Sequence, residues 1–194
     1  MLQPGETPRT RGERTRQRVA EALIELVAEG DHSPTAKAVA ERAGVSVRLV
    51  FHHFADMDAL YRLAIEVQAH RHWAEVHEVP STASLDERVE RTVQQRAKVF
   101  EAVGPVRQAL VPIVSRNAEI AEAVAASERR LRDLLDATFS RELQRAGRGR
   151  KELLDAIDAA ASWEAWDRLR RCQRLAPAAA RKVVGRTLLG LLGG

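Results

Sequence analysis

The chain has 194 residues, 45% of them hydrophobic and 30% charged, with 31 basic against 27 acidic side chains and a formal charge of +4. That length and apolar share support a packed core, in one domain or two small ones, and argue against a disordered chain; the basic surplus suits an anionic partner without naming one. The lone Cys172 excludes an internal disulfide, no Cys/His spacing proposes zinc, and neither a signal-peptide core nor an apolar run of about 20 residues occurs, so we expect a soluble, cytoplasmic protein with no metal and no cofactor.

Aromatic residues make up only 4% of the chain, and Ala, Leu, Val, Arg and Glu dominate, a balance that favours helix over sheet. An all-α chain of about nine helices is expected. Met1 to Pro8 reads as a disordered start. Arg9, Arg11, Arg14, Arg16 and Arg18 then crowd the entry to the first helix, opposed locally by Glu13 alone; such a run is either a solvated tail or a phosphate-contacting arm. The first helix, about Thr10 to Glu29, carries Val19, Ala20, Leu23, Ile24 and Val27 at helical spacing and ends at Gly30.

Residues 36–54, AKAVAERAGVSVRLVFHHF, hold a short helix, a glycine-punctuated turn and a second short helix. Thr35 caps the first of these, Gly44 sits where the chain needs a positive φ, and Ser46 caps the second. Ala40 is small where two helices must cross, and Val39, Val45, Val50 and Phe54 supply apolar contacts, the layout of a helix-turn-helix reader of double-stranded DNA. Lys37, Arg42 and Arg48 oppose the single acid Glu41 within this segment.

Asp56 caps a fourth helix, about Met57 to His77, with Leu60, Leu63, Ala64, Val67 and Ala74 as its apolar stripe and Glu66, His70, Trp73 and His77 along its flank. That flank reads either as part of a small-molecule pocket or as the edge between core and solvent. A helix from Leu85 to Val103 follows, using Val89, Val93, Ala97 and Phe100, and Gly104 and Pro105 close it. A short helix around Val106 to Ser115 is kinked or divided by Pro112, and another runs from Ala118 to Arg145 with Val124, Leu131, Leu135 and Phe139 inward. Gly147 and Gly149 mark a loop.

Two further helices are expected, about Lys151 to Leu175 and Pro177 to Leu192. Leu153, Leu154, Ile157, Ala161 and Ala165 line the first, widened by Trp163, Trp166 and Leu169; Val183, Val184, Leu188, Leu189 and Leu192 line the second. Faces this broad either complete their own core or meet the same pair in another subunit, and twofold symmetry, which suits paired half-sites on DNA, favours a homodimer.

The segment TAKAVAERAGVSVRLVFHHFADMDAL resembles the N-terminal signature of TetR-family transcriptional regulators, over Arg14 to Leu63. Beyond that stretch the likeness lies only in helix number, helix length and a Trp-bearing penultimate helix. The resemblance implies a DNA-binding head at 1–55 and an effector-binding and dimerisation domain at 56–194. It further implies a homodimeric repressor, joined through its last two helices, whose heads enter successive major grooves of an operator and are released by a small molecule. By it, Val47, Arg48, Leu49 and His52 face base edges, and Thr35, Ser46, Phe51 and His53 lie near the backbone. Three positions depart from the pattern: Phe51 stands where Tyr is usual, Met57 where Lys is common, and Arg48 where a small residue is usual.

Arg48 has its own physical argument, since a guanidinium pairs bidentately with guanine O6 and N7; the alternative is a phosphate contact. Candidate ligand residues are Glu66, His70, Trp73, His77, Phe100 and Trp163, although aromatics such as Trp163, Trp166, Phe100 and Phe139 on long amphipathic helices more often form core or interface. No glycine-rich phosphate loop, GxSxG elbow or HExxH stretch is present, and an enzyme is not expected. The competing reading is a helical interaction protein, or a DNA-binding regulator without an effector.

Overall fold

A computed structural model describes residues 10–193, and no strand occurs among them. Met1 to Pro8, expected to be disordered, and the arm residue Arg9 lie outside the described residues. The chain divides into two compact units, one reaching to Ala69 and including Pro105–Ala123, the other formed by His70–Gly104 and the chain from Val124 onward.

In the first unit, α1 (Arg11–Ala28) opens on a reciprocal cap: Thr10 Oγ1 accepts from Glu13 N at 3.2 Å, and Thr10 N donates to Glu13 Oε2 at 2.6 Å. It buries Val19, Ala20, Leu23 and Val27, leaves Ile24 half-buried, and stops at Gly30 with φ of +103°. Thr35 caps α2 (Ala36–Ala43), which ends on Gly44 at φ +64°, and Ser46 caps α3 (Val47–His53). The glycine is required there, since a side chain in that left-handed region clashes with its own backbone. Arg42 joins α2 to α1 by forking onto Glu29 at 2.9 and 2.6 Å and reaching Glu25 at 3.4 Å.

Asp56 caps α4 (Met57–His72) through Ala59 N at 2.7 Å. The helix buries Leu60, Tyr61, Ala64 and Gln68, while Leu63 and Val67 are half-buried and Ala74 is exposed. It ends at His72 and not at His77, giving way to a 3-10 turn, Trp73–Glu75.

The next helix also departs from expectation. A single α5 runs from Leu85 to Val114 through Pro105 and Pro112, where two helices had been anticipated. Each proline deletes one backbone hydrogen bond and costs about 3 kcal/mol. The apolar stripe nevertheless continues past Gly104: Val106, Ala109, Leu110 and Ile113 are all at least nine-tenths buried, and burial of large apolar side chains at about 1.5–3 kcal/mol each outweighs the prolines. Asp58 receives Arg116 at 2.9 and 3.0 Å and Asn117 Nδ2 at 3.1 Å, tying α4 to the α5–α6 turn, and Arg62 pairs with Glu119.

The second unit is built around a core that includes Phe100, Leu135, Phe139, Ile157, Trp166 and Leu188. Asn117 caps α6 (Ala118–Thr138), with Val124 only half-buried, and the expected run to Arg145 is interrupted at Phe139, with α7 (Ser140–Arg145) following. Arg88 causes the break. Its Nη1 takes the Thr138 carbonyl at 2.8 Å, which an unbroken helix would give to the Glu142 N–H, and its two terminal nitrogens both reach the Glu142 carboxylate at 2.8 Å.

The expected helix from Lys151 to Leu175 is likewise two pieces, α8 (Arg150–Ala160) and α9 (Trp163–Asp167), the latter passing into a π-helical turn at Arg168–Cys172. Here Arg96 takes the Ala161 carbonyl at 2.7 Å, while Ser162 Oγ donates to Ala159 O at 2.9 Å and caps α9 by accepting from Ala165 N at 3.1 Å. Pro177 then starts α10 (Pro177–Leu192), which buries Ala180, Val184, Leu188 and Leu192; of the other residues expected on its apolar face, Leu189 is half-buried and Val183 is exposed.

Candidate nucleic-acid interface

The two ends of α3 are fixed locally, by the Ser46 cap at one and by the buried Phe54 at the other. Val50 and Phe54, at 1% and 2% exposure, hold the inner side. The outer side then has no choice but to point away: Val47 and Phe51 are 37% and 52% exposed, Arg48 and His52 are exposed, and Leu49 and His53 are half-buried. Side chains of this mixed chemistry, exposed on one face of a short helix, are what base-edge readout needs.

Leu49, His52 and His53 share a groove with Arg11, Gly12, Arg14, Thr15 and Arg18 of α1. The three arginines stand at i, i+3 and i+7, so they occupy one strip of that helix and track a line rather than a point. The sequence alone groups the early arginines as an arm and does not place α1 beside α3. The i, i+3, i+7 spacing was the signal that could have separated them.

Arg16 belongs to a different role. Its Nη1 donates to the His53 carbonyl at 3.2 Å, and its guanidinium lies 5.0 Å from the centre of the Phe54 ring, so it pins the end of α3 to α1. Arg42 is also spoken for, since its Glu29 and Glu25 contacts neutralise it, and Lys37 lies 3.9 Å from Glu41. Of the basic residues within the helix-turn-helix, Arg48 is left as the unneutralised one among the described ion pairs. His53 has its pKa pushed down, first by partial burial and then by His52 and Arg16 nearby, which keeps it neutral and able to donate through one ring nitrogen.

Thr35 and Ser46 accept from Ala38 N at 3.2 Å and Leu49 N at 3.1 Å. Both are exposed, and capping uses only their oxygen lone pairs, leaving each O–H able to donate to a phosphate. Phe51 has no hydroxyl to offer. Met57, half-buried at the start of α4, offers no charge.

The six ligand-site candidates are scattered. Glu66 and His70 are exposed on α4; Trp73 is half-buried in the 3-10 turn with the Arg130 guanidinium 5.2 Å from its ring centre; His77 lies beyond the turn, its backbone N–H donating to Gln95 Oε1 at 3.2 Å. With α4 ending at His72, the expected single-helix stripe does not form. Phe100 borders a partly open crevice of about 10 Å³ together with Arg96 and Trp166, and Trp163 is half-buried beside Gly104. Among the described residues no group of three or more His, Cys, Asp or Glu side chains could hold a metal ion, and no helix is long and apolar enough to cross a membrane.

Residues 19–64 match the family model of bacterial regulatory proteins of the tetR family. No curated protein matches the chain. Among solved structures, a transcriptional regulator from Rhodococcus sp. RHA1 is similar at a TM-score of 0.74 and 20% identity, covering 92% of this chain and 96% of its own. A tetR-family transcriptional regulator from Streptomyces coelicolor gives 0.70 and 16%, covering 92% and 80%. A TetR-like transcriptional regulator from Rhodococcus sp. RHA1 gives 0.62 and 18%, covering 97% and 100%. At such identities the likeness is one of fold, and it is the head that carries the family. Residues 19–64 thus match the head of bacterial regulatory proteins of the tetR family, and the chain shares its fold with solved transcriptional regulators.

Proposed function

We propose that this chain is a DNA-binding transcriptional regulator of the tetR family, a homodimeric repressor acting in the cytoplasm by binding and not by catalysis, which leaves its operator when a small molecule occupies the C-terminal domain. Functionally we divide the chain into a reading head at 1–55 and an effector-binding and dimerisation domain at 56–194. Val47, Arg48, Leu49 and His52 read base edges, and Thr35, Ser46, Phe51 and His53 lie against the backbone, flanked by the α1 arginines. The observation that carries the reading is the outward face of α3: Val47, Arg48, Phe51 and His52 are exposed while Val50 and Phe54 anchor the helix.

Dimerisation through the last two expected helices, which are α8 with α9 and α10, is supported by Val183, a 42% exposed apolar side chain flanked by Lys182 and Arg186. Two heads related by a twofold axis meet half-sites about one helical turn apart. A selection from genomic duplex fragments at low salt, followed by footprinting, tests the reading. It should enrich a palindromic site protected on successive turns by a particle of twice the chain mass. Failure to enrich any duplex, or protection by a monomer, overturns it.

A further inference from the structure

Two arginines of α5 are buried, and only one has its counter-ion. Arg88, 3% exposed, meets the equally buried Glu142 carboxylate through both terminal nitrogens. Arg96, two turns further along and 4% exposed, donates only to carbonyl oxygens, Ala161 O at 2.7 Å and Leu131 O at 2.6 Å. No carboxylate among the described residues pairs with it. Asp158 lies near enough for its charge to be felt, but that carboxylate is held by Arg132 at 3.1 Å. Burial lowers the Arg96 pKa to about 10, against the pull of Asp158, so at neutral pH the guanidinium remains a buried cation.

The same guanidinium stands on the wall of the partly open crevice, which at about 10 Å³ barely admits one water and must widen to take a ligand; its other walls come from Val93, Ala97, Phe100, Trp166 and Val184. The remaining wall is the Ala161–Ser162 junction, where α8 stops and α9 begins. A helix break is a place where one side of a cavity can move without unwinding a helix. From the far side, α9 is held to α5 through Glu101, which accepts from Trp166 Nε1 at 2.9 Å and from Arg170 at 2.7 and 3.0 Å. A π-helical turn directly follows Trp166 and Asp167, a distortion found often beside functional sites.

We propose that Arg96 anchors a ligand site in this cavity and that the ligand is a monocarboxylate with an apolar body. The carboxylate takes the guanidinium from the Ala161 carbonyl in a planar, two-point pairing, and the body opens the space between Phe100 and Trp166. One guanidinium in apolar walls matches one negative charge; a phosphate dianion would leave a second charge buried and unanswered. The proposal rests on the reading that the C-terminal domain takes a small molecule. An alternative role for Arg96, a staple that only ends α8, makes no demand on ligand charge.

The test uses the full chain with butanoate, octanoate and phenylacetate, each beside its primary amide, together with octylamine and inorganic phosphate. Tryptophan fluorescence and thermal melting report binding, since Trp166 lines the cavity. At least one carboxylate should bind about tenfold or more tightly than its amide, as expected for a charge-assisted two-point contact, with octylamine and phosphate silent. Arg96→Met should melt cooperatively and lose that preference, and Arg96→Lys should retain part of it. The proposal falls if no carboxylate outbinds its amide, or if Arg96→Met binds it as the wild type does. Should Arg96→Met not fold, the wild-type ratio alone decides. DNA binding followed in parallel separates the two readings: carboxylate binding without DNA release upholds the site and removes the release mechanism, whereas release by another compound from wild type and Arg96→Met alike upholds release and removes this site.

Discussion

The strip of Arg11, Arg14 and Arg18 gives the strongest quantitative test of how the head holds DNA. All three are exposed, and none has a side-chain ion pair among the described residues, so changing them to Gln removes charge without removing packing or helix propensity. Stability should therefore stay within about 0.5 kcal/mol of wild type. If each neutralises one phosphate, a two-headed complex loses six such contacts. At a slope of about 0.9 per phosphate, the dependence of log Kobs on log salt flattens by about 5, so the wild type weakens roughly a thousandfold more than the variant between about 50 and 200 mM salt. Fluorescence anisotropy with a selected operator and with an unrelated duplex measures both slopes, and they should flatten alike because phosphates carry no sequence. A slope that stays within about one unit of wild type would refute the assignment, as would a loss confined to the operator.

Arg48→Ala should behave in the opposite way, relaxing preference at one base pair per half-site by about 1–3 kcal/mol with little change in salt slope; an equal loss on every duplex would mark Arg48 as a phosphate contact. Gly44→Ala should cost about 1–2 kcal/mol in a thermal melt from its φ of +64° alone, because a Cβ there meets no neighbour within 4 Å. Glu142→Leu leaves Arg88 a buried cation with only the Thr138 and Ala83 carbonyls as acceptors, a loss of about 3–5 kcal/mol by denaturant titration. The Arg88 hydrogen bonds hold the Glu142 carboxyl below its ordinary 4.5, so its contribution is complete above that value and is lost as pH falls beneath it. Acid titration of Glu142→Gln should show a shallower fall below that pH than the wild type does.

The head was legible because its instructions are local. Thr35 and Ser46 each act on a backbone N–H three residues away, and Gly44 acts on its own φ, so a reader of the sequence sees cause and effect together. The outward face of α3 follows from Val50 and Phe54 in the same way, since fixing the buried positions of a seven-residue helix leaves the others outside. What was not legible in the head was pairing at longer range. Arg42 looked like DNA-facing charge until Glu29, thirteen positions away, accounted for it, and Arg16 looked like part of an arm until the His53 carbonyl, 37 positions away, accepted from it.

The C-terminal half was misread at its helix breaks for the same physical reason. Pro105 and Pro112 are strong local signals for a break, and both were overridden by buried apolar residues on the far side. Phe139 and Ala161 carry no such signal, yet the chain breaks there, because each break leaves a carbonyl for an arginine that lies 50 positions from Thr138 and 65 from Ala161. Arg88 and Arg96 are eight residues apart in one helix and were assigned no role from sequence, since a basic side chain in an amphipathic helix is expected to face water. Their burial is therefore the most informative departure between pattern and structure. For Arg88 the departure is resolved by Glu142 within the chain. For Arg96 it is not, and a cation kept dry against apolar walls is the feature that turns a closed core into a candidate binding site.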